Sequence, residues 1–255
     1  MAKRNTRKEA HADEQAFLAA YDASQYPHPS VTVDVALVTV ANRALQAALV
    51  QRREQPQRER WSLPGGFVQM DESLDDAASR LLASKANIEG LFLEQLYTFG
   101  RPDRDPRTRV ITVAYYALVP VESLLRRARE GLQLGTLSVP WQGVKGGDVS
   151  ALSAQGEPLE LAFDHAEILG MVVQRLRGKL DYAPLGFELL PPRFTLRQLQ
   201  TIHETILDKQ LNKDSFRRRM LASGLILPTG QLEANVGHRP AELYRFRRRS
   251  RRKTD

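Results

Sequence analysis

The stretch that decides the reading is Gly65–Ile88, GGFVQMDESLDDAASRLLASKANI. Gly65 and Gly66 allow close approach of the backbone to a ligand, or a turn with positive φ. Ser73-Leu-Asp-Asp76 has the form of a capping box, and the acids of the first turn suit the positive end of a helix dipole. Asn87 tolerates the left-handed conformation that closes many helices. A helix is therefore expected from Ser73 to Ala86. Its second half carries Leu81, Ser84 and Lys85, three and four apart and so on one face.

Working outward, VTVDVALVTV (Val31–Val40) reads as a buried strand and ALQAALVQR (Ala44–Arg52) as its neighbour. LFLEQLYTFG and RVITVAYYALVP are further strands, joined by the loop RPDRDPRT. The Gly- and Ser-rich stretch from Trp141 to Glu160 reads as a surface excursion. AFDHAEILGMVVQRLRGKL places Ile168, Leu169, Val172, Val173 and Leu176 at helical spacing. Strands interspersed with helices give an α/β layered domain.

Pro191-Pro192 marks a boundary, because neither residue continues a helix comfortably. Beyond it, TLRQLQTIHETIL sets Leu196, Leu199, Ile202 and Ile206 on one face. KDSFRRRMLASG forms a second, basic helix stopping at Gly224, with Asn212 as its cap and Phe216, Met220 and Leu221 toward the core. LILPTGQ and AELYRFR then read as two strands around a loop containing GHRP. That order is a winged helix-turn-helix.

Charge supports the division. Fifteen Lys+Arg stand against six Asp+Glu from Arg193 to Asp255, a surplus of +9, which leaves −2 for residues 1–192. Such asymmetry points to a polyanion at the C-terminal end, nucleic acid before membrane. The absence of cysteine excludes disulfides, thiolate metal sites and a cysteine nucleophile, and fits a reducing cytoplasm. No apolar run is long enough to span a membrane, and the charged start is not a signal peptide.

The opening stretch resembles the Nudix box of pyrophosphate hydrolases: a glycine, five residues, a glutamate, seven residues, then Arg-Glu-apolar-any-Glu-Glu-any-Gly-apolar. Gly66, Glu72, Arg80, Leu82 and Ile88 match; Leu81, Ser84 and Lys85 stand where the remaining glutamates fall, and Asn87 replaces the glycine. In that family the glutamates hold divalent metal. Without them there is no activated water and no neutralised leaving phosphate. The resemblance therefore implies no catalytic residue, no metal and no enzyme activity here, with Glu72 and Arg80 as a structural pair.

From Tyr26 to Phe246 the chain resembles the Nudix-related regulators of bacterial NAD metabolism, abbreviated NrtR. The resemblance lies in YTFGRPDRDPRTRVITVAYYALVP, LAFDHAEIL, LGFELLPPRFTLRQLQ, NKDSFRRRM and GHRPAELYRF. It implies an α/β/α Nudix sandwich with a mixed sheet over residues 26–190, after a basic arm and lead-in (1–25). A winged helix-turn-helix with a basic tail follows over 191–255. It further implies a repressor of NAD metabolism genes that binds double-stranded operator DNA as a homodimer and senses ADP-ribose, with no cofactor and no membrane partner.

A diphosphate bound without metal needs fixed cations. Arg101, Arg104 and Arg107 lie on one loop with Asp103 and Asp105 to orient them; Arg52, Arg53 and Lys85 are further candidates. Phe67 or Phe99 offers a face for adenine, against the alternative of core packing for both. His165 reads as a hydrogen-bonded residue at a helix start and His203 as part of a core edge. In the reader, Asn212 caps, Lys213 and Ser215 reach base edges, and Arg217, Arg218 and Arg219 meet phosphates unless one pairs with Asp214. His238 and Arg239 belong to the wing. Lys3, Arg4, Arg7 and Lys8 form a basic arm within reach of a minor groove. Two alternatives compete: an active Nudix ADP-ribose pyrophosphatase with a nucleic-acid-binding appendage, and an RNA-binding protein, which the lack of interleaved aromatics disfavours.

Overall fold

The computed structural model describes residues 13–127, 131–180, 186–234, 237 and 239–247. Lys3, Arg4, Arg7, Lys8 and His238 lie outside them. Helix α1 (13–20) leads in along the surface, every residue of it exposed. β1 (Ser30–Ala41) follows, buried on both faces along Thr32–Thr39. It runs parallel to a later strand, which is why its sequence is almost continuously apolar. The two-residue turn Asn42-Arg43, both with positive φ, returns the chain as β2 (Ala44–Gln51). β3 (Trp61–Ser62) pairs with β2, and β4 (Gly65–Phe67) pairs with β1 through Thr32↔Phe67.

The glycine pair is thus a short strand where the sequence suggests a loop, and neither glycine has positive φ. Close packing is the reason for both. A Cβ on Gly65 would sit 2.2 Å from Asp34 Oδ1, and one on Gly66 would sit 2.8 Å from Leu81 Cδ2.

Helix α2 (Leu74–Ala86) starts and stops on its caps. Ser73 Oγ accepts the Asp76 amide, and Asn87 closes the end at φ 57°, ψ 39°. β5 (Glu94–Phe99), β6 (Val110–Leu118), α3 (Val121–Arg127) and β7 (Leu132–Ser138) follow. α3 and β7 fall in a stretch that carries no strong sequence signal. The Trp141–Glu160 excursion is corrected: it contributes β8 (Ser150–Leu152) and β9 (Pro158–Leu159), which extend the sheet beyond β7. Among the described residues nine strands form one sheet, in the order β5-β6-β1-β2-β7-β8-β9 with β3 and β4 as side pairings. It is mixed, since β1 and β6 are parallel and the other pairs antiparallel.

Val33, Val35 and Leu37 pack with α2 and α3, whereas Ala36 and Val38 pack with helix α4 (His165–Lys179) on the opposite face. This is the expected α/β/α sandwich. Ile168, Leu169, Val172, Val173 and Leu176 of α4 are all fully buried.

The second body begins with β10 (Phe194–Thr195) and α5 (Leu196–Leu207). A complete capping box between Thr195 and Gln198 opens α5. Helix α6 (Lys213–Ala222), β11 (Ile226–Leu232) and β12 (Glu242–Phe246) complete the winged helix, with sheet order β10-β12-β11. Phe187, ahead of the proline pair, stacks on Phe246 at 4.5 Å. The apolar core is continuous from the α4 side of the large sheet into Leu199, Ile206, Phe216 and Met220.

Candidate functional site

The Nudix-like half of α2 is built around an ion pair. Arg80 Nε donates to Glu72 Oε2 at 2.8 Å, and its Nη2 also reaches the Phe67 carbonyl at 3.0 Å. The Gln69 amide donates to Glu72 Oε1 at 2.8 Å. The hydrogen bond from Arg80 is the main cause that pulls the Glu72 carboxyl down to about 2. Glu72 therefore shapes the 67–72 loop. Leu81, 3% exposed, is a core residue against Gly66 and the apolar face of α2. Ser84 and Lys85 are exposed on the next turn. A leucine, a hydroxyl and an ammonium do not fit a divalent ion. Among the described residues no group of three His, Asp or Glu is placed to hold one.

Beneath the glycine pair lies a buried charge cluster. Arg104, 5% exposed, donates from Nε and Nη2 to both oxygens of Asp164 at 2.8 and 2.7 Å, and Nη2 is 3.4 Å from Asp34 Oδ2. Thr112 Oγ1 donates to Asp34 Oδ2 at 2.7 Å, and His165 Nε2 stands 3.5 Å from Asp34 Oδ1. His165 Nδ1 accepts the Leu63 amide at 3.0 Å, so His165 is the hydrogen-bonded residue at a helix start that its position suggests. Burial raises the Asp34 carboxyl, but His165, Thr112 and Arg104 together hold it below the usual range. The reading of Arg104 as a cation presented to ligand is corrected: its guanidinium is desolvated and bound to carboxylates.

Three of the other candidate cations line an open cleft. Arg52, Arg53, Ser84 and Lys85 line a cavity of about 410 Å³ with Gly65 and Gly131 on its wall. Arg107 stands beside it, its guanidinium held by Asp105 at 3.0 and 2.7 Å and lying 5.2 Å from the centre of the Phe67 ring. Phe67 is 45% exposed, so its ring is not core, whereas Phe99 is buried as core. Arg52 lies 4.7 Å from the centre of the Phe163 ring. Burial and then the charge of Arg107 lower the Arg52 pKa. Arg107, paired with Asp105, keeps its own pKa raised. Arg101 is turned toward Asp103 and Glu167, at 3.5 and 3.9 Å. Phe163 is missing from the sequence-derived set. Its φ of 52°, rare for a bulky residue, is visible only in the structure.

The second basic surface lies along α6. Asn212 Oδ1 accepts the Ser215 amide at 3.0 Å and caps α6. Phe216 and Met220 face the core, and His203 meets Phe216 edge-on at 5.2 Å. Lys213, Ser215, Arg217, Arg218 and Arg219 are all exposed, as is Arg239 near the wing. Leu221, expected alongside the core, is 43% exposed: one position past Met220, it turns off the two-residue contact stripe. Arg245 on β12 and Arg247 just past it add exposed charge that has no assigned role in the sequence.

Residues 186–246 match the family model described as the NrtR DNA-binding winged helix domain, and residues 30–135 match the NUDIX domain. The chain is 40% identical over 237 residues to the ADPR responsive transcriptional repressor NtrR of Acinetobacter baylyi, covering 92% of this chain and 89% of that one. The chain belongs to the NrtR family. Among solved structures, Shewanella oneidensis NrtR complexed with a 27mer DNA is 31% identical, with a TM-score of 0.69 over 85% of this chain and 93% of the other. A MutT/nudix family protein from Enterococcus faecalis is 26% identical, with a TM-score of 0.74 over 92% and 93%. In this NrtR-family chain no described helix is long and apolar enough to cross a membrane.

Proposed function

We propose that this NrtR-family chain is an ADP-ribose-responsive transcriptional repressor of NAD metabolism genes. It binds double-stranded operator DNA as a homodimer in the bacterial cytoplasm, and its Nudix domain senses ADP-ribose without hydrolysing it. The observation that carries this is Lys85, a cation exposed on the cleft wall at a position where the Nudix box has a metal-holding glutamate. A diphosphate there meets Arg52, Arg53, Lys85 and Arg107 directly, with Arg101 at the margin and the exposed Phe67 ring beside it. The cleft binds with fixed cations and needs no cofactor. The α6 surface supports the other half. In this reading Lys213 and Ser215 in its first turn reach base edges, Arg217, Arg218 and Arg219 grip phosphates, and the wing, with His238 and Arg239 in its sequence, follows the backbone.

Calorimetric titration with ADP-ribose, with excess EDTA or with Mg²⁺, tests the sensor. Equal affinity in both and no release of AMP is the expected outcome, and Lys85→Glu should weaken binding at least tenfold, about 1.4 kcal/mol. Mg²⁺-dependent AMP formation by the purified protein would instead make it a hydrolase.

A further inference from the structure

Helix α4 carries a buried arginine contact at each end, and the two contacts reach different functional bodies. At its start Asp164 occupies the N-cap position yet makes no side-chain cap bond. A capping aspartate ordinarily satisfies a first-turn amide. Here both carboxylate oxygens are given to Arg104, which ties the 101–107 loop, and with it Arg107, to the end of the helix.

At the other end Arg177, 5% exposed, donates from Nε to the Ile206 carbonyl at 2.8 Å. Its Nη1 donates to the carbonyls of Trp141 and Gly143 at 3.1 and 3.2 Å, and its plane lies 4.9 Å from the Trp141 ring. Ile206 is in the last turn of α5, where carbonyls lack intrahelical donors and the helix dipole favours a cation. Arg177 therefore fastens the sensor's last helix to the first helix of the DNA reader.

Between these fasteners α4 behaves as one piece. It spans about 22 Å at 1.5 Å per residue. Its inward face is fully buried, and Gly170 lies so close to the Gly147 carbonyl that a Cβ would sit 1.9 Å away. α5 in turn touches α6 through the His203–Phe216 ring contact. A shift at the 101–107 loop can thus reach the recognition helix without passing along residues 186–192.

The geometry points to α4 as the lever that carries effector occupancy to the reader, with Arg177 as the positioning residue that sets α5 against it. This rests on the proposal that ADP-ribose occupies the cleft and weakens DNA binding. Two recognition helices must match two half-sites, so a small rotation of α5 in each subunit is enough to release DNA.

The test uses the full chain, ADP-ribose, and a labelled duplex selected from a random pool by the wild-type protein. In the wild type, ADP-ribose should weaken duplex binding by roughly 5–150-fold, and saturating duplex should weaken ADP-ribose binding by the same factor. Arg177→Met should leave each ligand's affinity, measured alone, within about twofold of wild type, while the factor falls to about one. Arg177→Lys keeps the charge but not the fork, and should restore part of the factor. A structural role alone would move the single affinities and leave the factor in place. An Arg177→Met protein with the wild-type factor overturns the inference. If that variant does not fold, hydrogen exchange on the wild type decides. ADP-ribose should alter protection in the last turn of α5 and around Trp141; protection confined to the cleft overturns the lever. A wild type that binds both ligands with no mutual effect defeats the effector reading itself, and the lever with it.

Discussion

Two arginine-rich stretches of this chain look alike in sequence and behave as opposites. In RPDRDPR each guanidinium is held by a carboxylate: Arg101 by Asp103 and Glu167, Arg104 by Asp164 and Asp34, Arg107 by Asp105. In the Arg217–Arg219 run of α6 the side chains are exposed, and neither Arg217 nor Arg218 has a carboxylate at ion-pair distance among the described residues. The difference is one of carboxylate pairing. Under the proposed function a small diphosphate of fixed geometry is best met by a cation oriented in advance, as Arg107 is by Asp105, because ordering it on binding costs affinity. Under the same proposal a DNA backbone presents many equivalent phosphates, which an exposed side chain such as Arg218 can meet at whichever is near.

The sharpest way to break this comparison is at Arg104. If it is a buried strut, Arg104→Met leaves Asp164 without its buried partner, while Asp34 keeps Thr112 and His165, and costs about 3–5 kcal/mol in urea unfolding. A stable Arg104→Met protein that had merely lost ADP-ribose binding would return Arg104 to the ligand site. A middle-sized effect separates positions within α6. Lys213→Ala should cost about 1–3 kcal/mol of discrimination at one base pair. Arg218→Ala should weaken all sequences alike and flatten the salt slope by about one. Selectivity lost equally in both variants would contradict the division between base reader and phosphate grip.

The smallest effect concerns the exposed flank of the Glu72–Arg80 pair. The Glu72 carboxyl is lowered from 4.5 to about 2, so its contribution to stability is complete above 4.5 and is lost as pH falls toward 2. The melting-temperature gap between wild type and Glu72→Gln should be constant from pH 8 to about 5, shrink below that, and close near pH 2. A gap unchanged at pH 2.5 would show that the stabilisation does not come from the Glu72 charge.

Local features were legible because their causes are local. The caps Ser73, Asn87 and Asn212 each bond within three residues or adopt a special φ, and each stands where its residue type suggests, whereas the Thr195 capping box shows only in the structure. The buried faces of α4 and α5 follow the 3.6-residue period. The Nudix box was legible in both halves, since matching and missing carboxylates are equally plain in sequence. α3 and β7 were not, because a seven-residue helix and a half-buried strand carry little periodic signal.

What the sequence determined by itself, then, was the long strands and helices and the caps of α2 and α6, the lack of carboxylates at positions 81, 84 and 85, and the separation of charge between two bodies. What the tertiary structure decided was which charges are free to act. Arg104 and Arg107 are three residues apart on one loop, yet one meets Asp164, sixty residues on, and Asp34, seventy residues back, while the other meets its neighbour Asp105. Leu221 and Phe67 are apolar yet exposed, and His203 is polar yet buried. Periodicity states which face of an element a residue occupies. What covers that face, and which distant carboxylate reaches a given cation, is settled when the layers close.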